Sequence, residues 1–320
     1  MTAPPLEAES AAPATTKGHQ RPGDIWFSGS AVFAGSMILV TLAAVAIFLV
    51  VQSLPAFTAN SETASILPGS FWEYVGPLLF GTIWAATIAL VIAVPLSIGV
   101  ALFISHYAPR RLAHALGYIV DLLAAVPSVV YGLWGIWVLA PAIQPVYAWL
   151  NENMGWFPLF AGTVSSTGRT ILTAAVVLAV MVLPIITAIC REIFLQTPVL
   201  HEEAALALGA TRWEMIRMAV LPFGRSGIVS AAMLGLGRAL GETMAVAMVL
   251  SAANVITFEL LTSTNPNTIA ANIALSFPEA YGINVNVLIA TGLILFVVTF
   301  VVNFVARWIV SRRKEFSGAN

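Results

Sequence analysis

What this chain has least of is charge. Only 9% of its residues are Asp, Glu, Lys or Arg, against about 25% in a soluble globular domain. Hydrophobic residues make up 59% of it, and its mean hydropathy is +0.91. A soluble domain is excluded, and the long uncharged runs predict a polytopic all-α membrane protein. Cysteine is nearly absent: the single Cys190 excludes an internal disulfide and a thiolate metal cluster. The only lysines, Lys17 and Lys314, precede Gly18 and Glu315, so there is no Gly-Lys-Ser/Thr loop to cradle the phosphates of ATP. An ATP-driven role therefore requires a separate ATPase subunit. His106, His114 and His201 lack ligand spacing. No metal, no cofactor and no nucleic-acid partner is expected.

Uncharged runs of about 17–25 residues are long enough to span a bilayer. They predict six transmembrane helices: near 31–54, within 76–105, within 112–140 (holding Asp121 and Pro127), near 170–194, near 227–253 and near 285–308. Six are few for a self-sufficient carrier built from two six-span halves, so an oligomeric or heteromeric assembly is expected. Residues 1–27, rich in Ala, Pro, Thr and Glu, read as a disordered cytoplasmic tail, with no cleaved signal. Residues 28–313 are expected to form one six-helix transmembrane domain, with the cytoplasmic loop 191–226 inside it, and 314–320 a second cytoplasmic tail. Of the 14 basic residues, 12 fall on one side of these spans: Lys17, Arg21, Arg110, Arg111, Arg191, Arg212, Arg217, Arg225, Arg307, Arg312, Arg313 and Lys314. Arg169 stands alone on the other side, and Arg238 is inside span five. The excess of positive charge marks the cytoplasm, so both termini are expected there. The outer stretch 141–169, with Tyr147, Trp149, Trp156 and Phe157, reads as interfacial.

The loop 191–226 is patterned like a small domain. Thr197-Pro198 reads as an N-cap followed by proline at the first helical position. "VLHEEAALALGA" then supplies helix formers and a stop at Gly209. Thr211 and Glu214 have capping-box spacing and start a second helix, which Leu221-Pro222 is expected to end. Trp213, Ile216 and Val220 recur along one face of it. Two short helices at a glycine turn suit a docking element, although an ordinary surface loop fits the periodicity about as well.

Span five poses the sharpest question. Within "GLGRALGETMAV", Arg238 and Glu242 are the only charges between Arg225 and Glu259. Two separate charges at mid-bilayer cost roughly 5–7 kcal/mol together. On one helix, positions i and i+4 share a face, so these two are expected to neutralise each other in part. Gly235, Gly237, Gly241 and Ala245 permit either close helix approach or an open path. One reading is an ion pair locking span five to its neighbours. The other is an anion site, since guanidinium forms bidentate charged hydrogen bonds to phosphate oxygens and the acid would loosen its grip. Asp121 is expected to snorkel or to pair with Arg110 or Arg111. Pro127, Ser128, Tyr131 and Gly132 shape either a kink in the pathway or plain core.

"EAALALGATRWEMIRMAVLP", residues 203–222, resembles the EAA loop of ABC-importer permeases: EAA, three residues, Gly, nine residues, Ile, any, Leu-Pro. Only Ala219 departs, standing where isoleucine is usual. "LGLGRALGETMAV" (234–246) and "AVPSVVYGLWG" (125–135) are similar to the phosphate-specific permeases of that superfamily, the PstC type. The resemblance covers about 30–310. It implies a type I ABC importer permease in the bacterial inner membrane, a transport subunit rather than an enzyme. Its implied partners are a sister permease, a dimeric ABC ATPase, an extracytoplasmic phosphate-binding protein, phosphate itself and membrane lipid. It assigns ATPase coupling to Glu203, Ala204, Ala205 and Gly209, and the substrate pathway to Arg238 and Glu242. A permease for sulfate or molybdate, a membrane-embedded enzyme acting on lipid or phosphoester, and a purely regulatory or scaffold protein, which the in-membrane charges oppose, are the competing readings. The Gly-Arg-Ala-Leu-Gly-Glu run opposes the first, and the missing His/Asp/Ser constellation opposes the second.

Overall fold

A computed structural model describes residues 22–314. The chain divides into two compact units within its first helix, α1 (Pro22–Phe57), at Phe48. The described part of the first unit is a single apolar helix whose large side chains, among them Phe33, Ile38 and Leu42, are exposed, as suits a lipid-facing segment. The expected tail of 1–27 lies outside the described residues as far as 21, and 22–27 are already helical. Residues 315–320 also lie outside.

The second unit carries the remaining elements. Helix α2 (Phe71–Leu102) opens on a capping box, in which Ser70 and Glu73 exchange hydrogen bonds. A short amphipathic helix, α3 (Arg110–Ala124), follows. Then come α4 (Ser128–Trp134), α5 (Ala140–Met154), α6 (Ile171–Leu195), α7 (Val199–Ala207), α8 (Arg212–Met215), α9 (Leu221–Leu240), α10 (Met244–Val249), α11 (Ile269–Ser276) and α12 (Ile283–Lys314). Strands β1 (Ala252–Ala253) and β2 (Asn265–Pro266) pair in parallel. Among the described residues six helical stretches are long and apolar enough to cross a membrane: Trp26–Phe57, Phe71–Tyr107, Ser128–Met154, Ile171–Leu195, Arg212–Leu240 and Ile283–Trp308.

Among the described residues two π-helical turns weld shorter helices into these spans, a third ends the second span, and a proline follows each. Ala108, Ala140 and Leu221 donate to the carbonyl five residues back, at Phe103, Gly135 and Ile216. Pro109, Pro141 and Pro222 come next. A proline has no N–H to give, and its ring presses on the carbonyl four residues back; a widened turn just before it relieves that pressure. At Pro222 the helix therefore continues, so α8 and α9 run on as one span, where the sequence predicted a stop at Leu221-Pro222.

Two span boundaries differ from expectation. The third span is Ser128–Met154, not 112–140. Pro127 disfavours the α region at Val126, so α3 ends at Ala124 and the span restarts at Ser128, taking in the first half of the supposed interfacial stretch. Asp121 then lies on α3, outside the spans. It pairs with neither Arg110 nor Arg111: Arg191 Nη2 lies 3.7 Å from it and 2.9 Å from Glu192. The fifth span is Arg212–Leu240 and stops before residue 241.

The core of the second unit lies where α2, α6 and α9 meet. Ala85, Ala86, Ala89 and Ala93 on α2 bury against Val177, Leu178, Met181 and Val182 of α6. Small side chains let the backbones approach, which is how apolar helices associate in lipid. Ser97 crosses the same seam, donating to Leu183 O at 3.1 Å. Gly224, Gly227, Ala231 and Gly235 make the matching stripe on α9. A Cβ at Gly235 would sit 2.7 Å from Ile186 Cδ1. The small residues of the span-five motif thus divide by role: Gly235 permits close packing, Gly237 faces open space with nothing within 4 Å, and Ala245 is buried beside Gly132.

Candidate functional site

Arg238 occupies the last turn of α9. Gly241 caps that helix, its N–H reaching Gly237 O at 3.3 Å. Glu242 lies beyond the break, so the two charges do not share a helix face. The expected Arg238–Glu242 pair is absent: the ion pairs within 4.0 Å among the described residues are His106–Glu202, Arg191–Asp121 and Arg191–Glu192.

Glu242 has another partner. It is 8% exposed, and its Oε1 accepts a hydrogen bond from Ala245 N at 3.0 Å. Thr243, at the N-cap of α10, makes no side-chain bond of its own, so the glutamate fills that role. A carboxylate at a helix N-terminus satisfies an orphan N–H and meets the positive end of the peptide dipoles. Arg169 serves the opposite end, its Nη2 donating to Leu250 O at 3.3 Å. Helix α10, with Val246 and Val249 buried, is thus held by an acid at its start and a base at its finish.

The segment after α10 is non-helical and is tied down by Asn265, which is fully buried. Its amide nitrogen donates to Ser251 O at 3.1 Å and Thr262 O at 3.0 Å, and its Oδ1 accepts from Ile171 N at 3.0 Å. Irregular backbone inside a membrane protein persists only where its polar groups find partners of this kind. Arg169 and Asn265 escaped the sequence reading. The signal for Arg169 was there, in a lone basic residue on the side that otherwise lacks them. Asn265, inside a polar stretch, carried none.

Arg238 projects from the other face of α9, where the chain is open. It lines a cavity of about 800 Å³ walled by α6, α9 and α12, sharing the α9 side with Ser230, Met233, Leu234 and Gly237. Among the described residues it has neither a hydrogen bond nor an ion pair. On α4 the Tyr131 phenol donates to Leu123 O at 2.9 Å.

A second assembly of predicted residues forms the 191–226 loop. Pro198, not Thr197, is the N-cap of α7, and it makes no side-chain bond. The helix ends in a Schellman motif: Gly209 N bonds Leu206 O at 2.9 Å and Ala210 N bonds Ala205 O at 3.2 Å. Gly209 has φ +85°, the left-handed conformation this motif requires. Thr211 and Glu214 form the expected capping box. Ala205 turns inward to the core at 8% exposure, whereas Glu203, Ala204 and Gly209 are exposed beside Leu200 and Leu208, the latter 90% exposed. Ile216 and Val220 are buried as the periodicity implied, but Trp213 is 55% exposed. Glu202 fastens the loop to the end of span two, 3.4 Å from His106 Nε2.

Residues 93–315 match the family described as "Binding-protein-dependent transport system inner membrane component". The chain belongs to that family. It is therefore an inner-membrane permease component. Among its relatives is "Phosphate transport system permease protein PstC 2" of Mycobacterium tuberculosis, 48% identical over 96% of each chain. The protein named PstC of Mesorhizobium japonicum is 40% identical over 92% of each. The fold is shared with solved ABC transporters. One, involved in import of the acidic polysaccharide alginate, superposes with a TM-score of 0.60 over 90% of this chain and 98% of its own, at 18% identity. The inward-facing methionine transporter MetNI reaches 0.50 over 74% and 93%, at 20% identity. The expected all-α, six-span permease architecture of ABC importers is confirmed.

Proposed function

We infer that this permease conducts inorganic phosphate as one subunit of an ATP-driven importer. The reading rests on relatives named as phosphate transport permeases over nearly the whole chain, and the observation that carries it to particular residues is Arg238, a guanidinium that faces a cavity in span five and has no counter-ion among the described residues. Arg238 stands exposed in the last turn of that span, and an oxyanion takes bidentate charge-assisted hydrogen bonds from such a guanidinium. Glu242 acts at one remove, seating α10 and leaving Arg238 free for the anion.

The exposed edge of α7, with Glu203, Ala204, Leu208 and Gly209, is the surface that docks on the partner ATPase. Ala205 supports it from within by packing and by closing the Schellman turn. A sister permease completes the conduit, and an extracytoplasmic binding protein delivers phosphate. With the spans as found, the basic residues still gather beside one set of span ends, and the segments at the other ends hold only Arg169, which favours cytoplasmic termini. Radiolabelled phosphate uptake by Arg238→Gln, with the amount of assembled complex measured alongside, tests the conduit role. Near-complete loss is expected, and uptake at the unmodified level refutes it. Excess sulfate leaving uptake unchanged separates phosphate from other oxyanions.

A further inference from the structure

The cavity beneath Arg238 has a second cation. Arg307 of α12 lines it, with Asn303 one turn away on the same face, opposite Ser230 of α9. No Asp or Glu is among the lining residues. Among the described residues neither guanidinium has a hydrogen bond or an ion pair, and the Asn303 amide has none either. Each guanidinium on this concavity is a cation without a neutralising partner among the described residues, and a bound anion neutralises it.

We propose that Arg307, with Asn303 and Ser230, is a second oxyanion station on the phosphate route, below Arg238 toward the cytoplasmic end of the bundle. The proposal rests on the reading of Arg238 as the anion site. The placement follows from the helices. Ser230 precedes Arg238 by eight residues, about 12 Å along α9, on the stripe that faces the cavity. Arg307 lies near the end of α12, the next span, which runs the opposite way; Ser230 and Arg307 therefore share one end of the cavity and Arg238 the other.

The chemistry suits a protonated tetrahedral oxyanion. Arg307 offers unspent donors on this face, and the Asn303 amide offers a donor and an acceptor. The Ser230 hydroxyl already donates to Ser226 O at 3.0 Å, so toward a ligand it is an acceptor, matched to the P–OH of hydrogenphosphate. A second station also answers the release problem. One guanidinium in a dry conduit traps an anion, whereas two in sequence lower the step between sites and let the ion leave in stages.

The test is arginine labelling with phenylglyoxal in the assembled importer, held in phosphatidylcholine vesicles and read residue by residue by mass spectrometry. Inorganic phosphate is expected to slow labelling of both Arg238 and Arg307. Protection of Arg238 alone overturns this inference and leaves the proposed function standing; protection of neither overturns both. If Arg307 is protected only when phosphatidylglycerol is added to the bilayer, and not by phosphate, the group it holds is a lipid headgroup and the station is refuted. In uptake assays, Arg307→Gln should lower the rate roughly tenfold or more at unchanged assembly, and Arg307→Lys should recover part of it. Wild-type rates for Arg307→Gln overturn the station, and the labelling result on the unaltered protein stands whether or not that variant assembles.

Discussion

Glu242 separates two pictures of this transporter, and removing its side chain distinguishes them. If the acid exists to balance Arg238, neutralising both residues should restore much of what either single change loses. If it exists to hold α10, the double variant should be no better than the worse single one. The geometry supports the second picture, because Glu242 Oε1 sits 3.0 Å from Ala245 N and no ion pair joins it to Arg238. Glu242→Gln keeps an oxygen for Ala245 N–H but loses its charge. A charged hydrogen bond is worth about 1.5–3 kcal/mol and a neutral one about 0.5–1.5, so the loss is about 1 kcal/mol, or roughly fivefold in the population of formed α10. Glu242→Ala removes the bond and leaves a buried N–H bare, costing about 2–3 kcal/mol. Hydrogen exchange of the reconstituted complex should show the α10 amides opening faster in the order Ala, Gln, wild type. Arg238→Gln should leave them unchanged while abolishing uptake. Faster exchange of α10 in Arg238→Gln, or uptake restored by combining Arg238→Gln with Glu242→Gln, would refute the assignment.

Gly209→Ala should cost about 1–2 kcal/mol in the loop, because φ +85° is strained for any residue with a Cβ; ATP hydrolysis by the complex should then respond less to the loaded binding protein, and Gly209→Asn should be milder. Gly235→Val should lower the melting temperature in detergent sharply, since the added Cβ alone meets Ile186 at 2.7 Å, whereas Gly237→Ala, with nothing within 4 Å, should melt like the parent. Asn265→Ala strips partners from Ile171 N, Ser251 O and Thr262 O together. At about 1–3 kcal/mol for each buried group left bare, it should abolish a cooperative melt, and a wild-type melt would show that water replaces the amide.

Most of the architecture was legible because lipid imposes a simple demand: enough apolar length for each span. The two places where run length misled share a cause. Residues 112–140 form an uninterrupted run by composition apart from His114 and Asp121, and 227–253 by everything except the Arg238–Glu242 pair. Yet Pro127 cuts the first, and a glycine followed by an acid cuts the second. Gly241-Glu242 is an ending and a beginning: a helix-terminating residue, then a carboxylate poised to cap three residues on. Reading i and i+4 as neighbours presupposed a continuous helix, and the residues chosen for the pair were those that interrupt it. The break has a use that an unbroken span lacks. Were α9 to continue through 242, the opposite charges would meet on one face and quench each other. Ending the helix at Leu240 commits the acid to α10 and leaves the guanidinium with no partner among the described residues, which is the condition an arginine must satisfy before it can hold a passing anion.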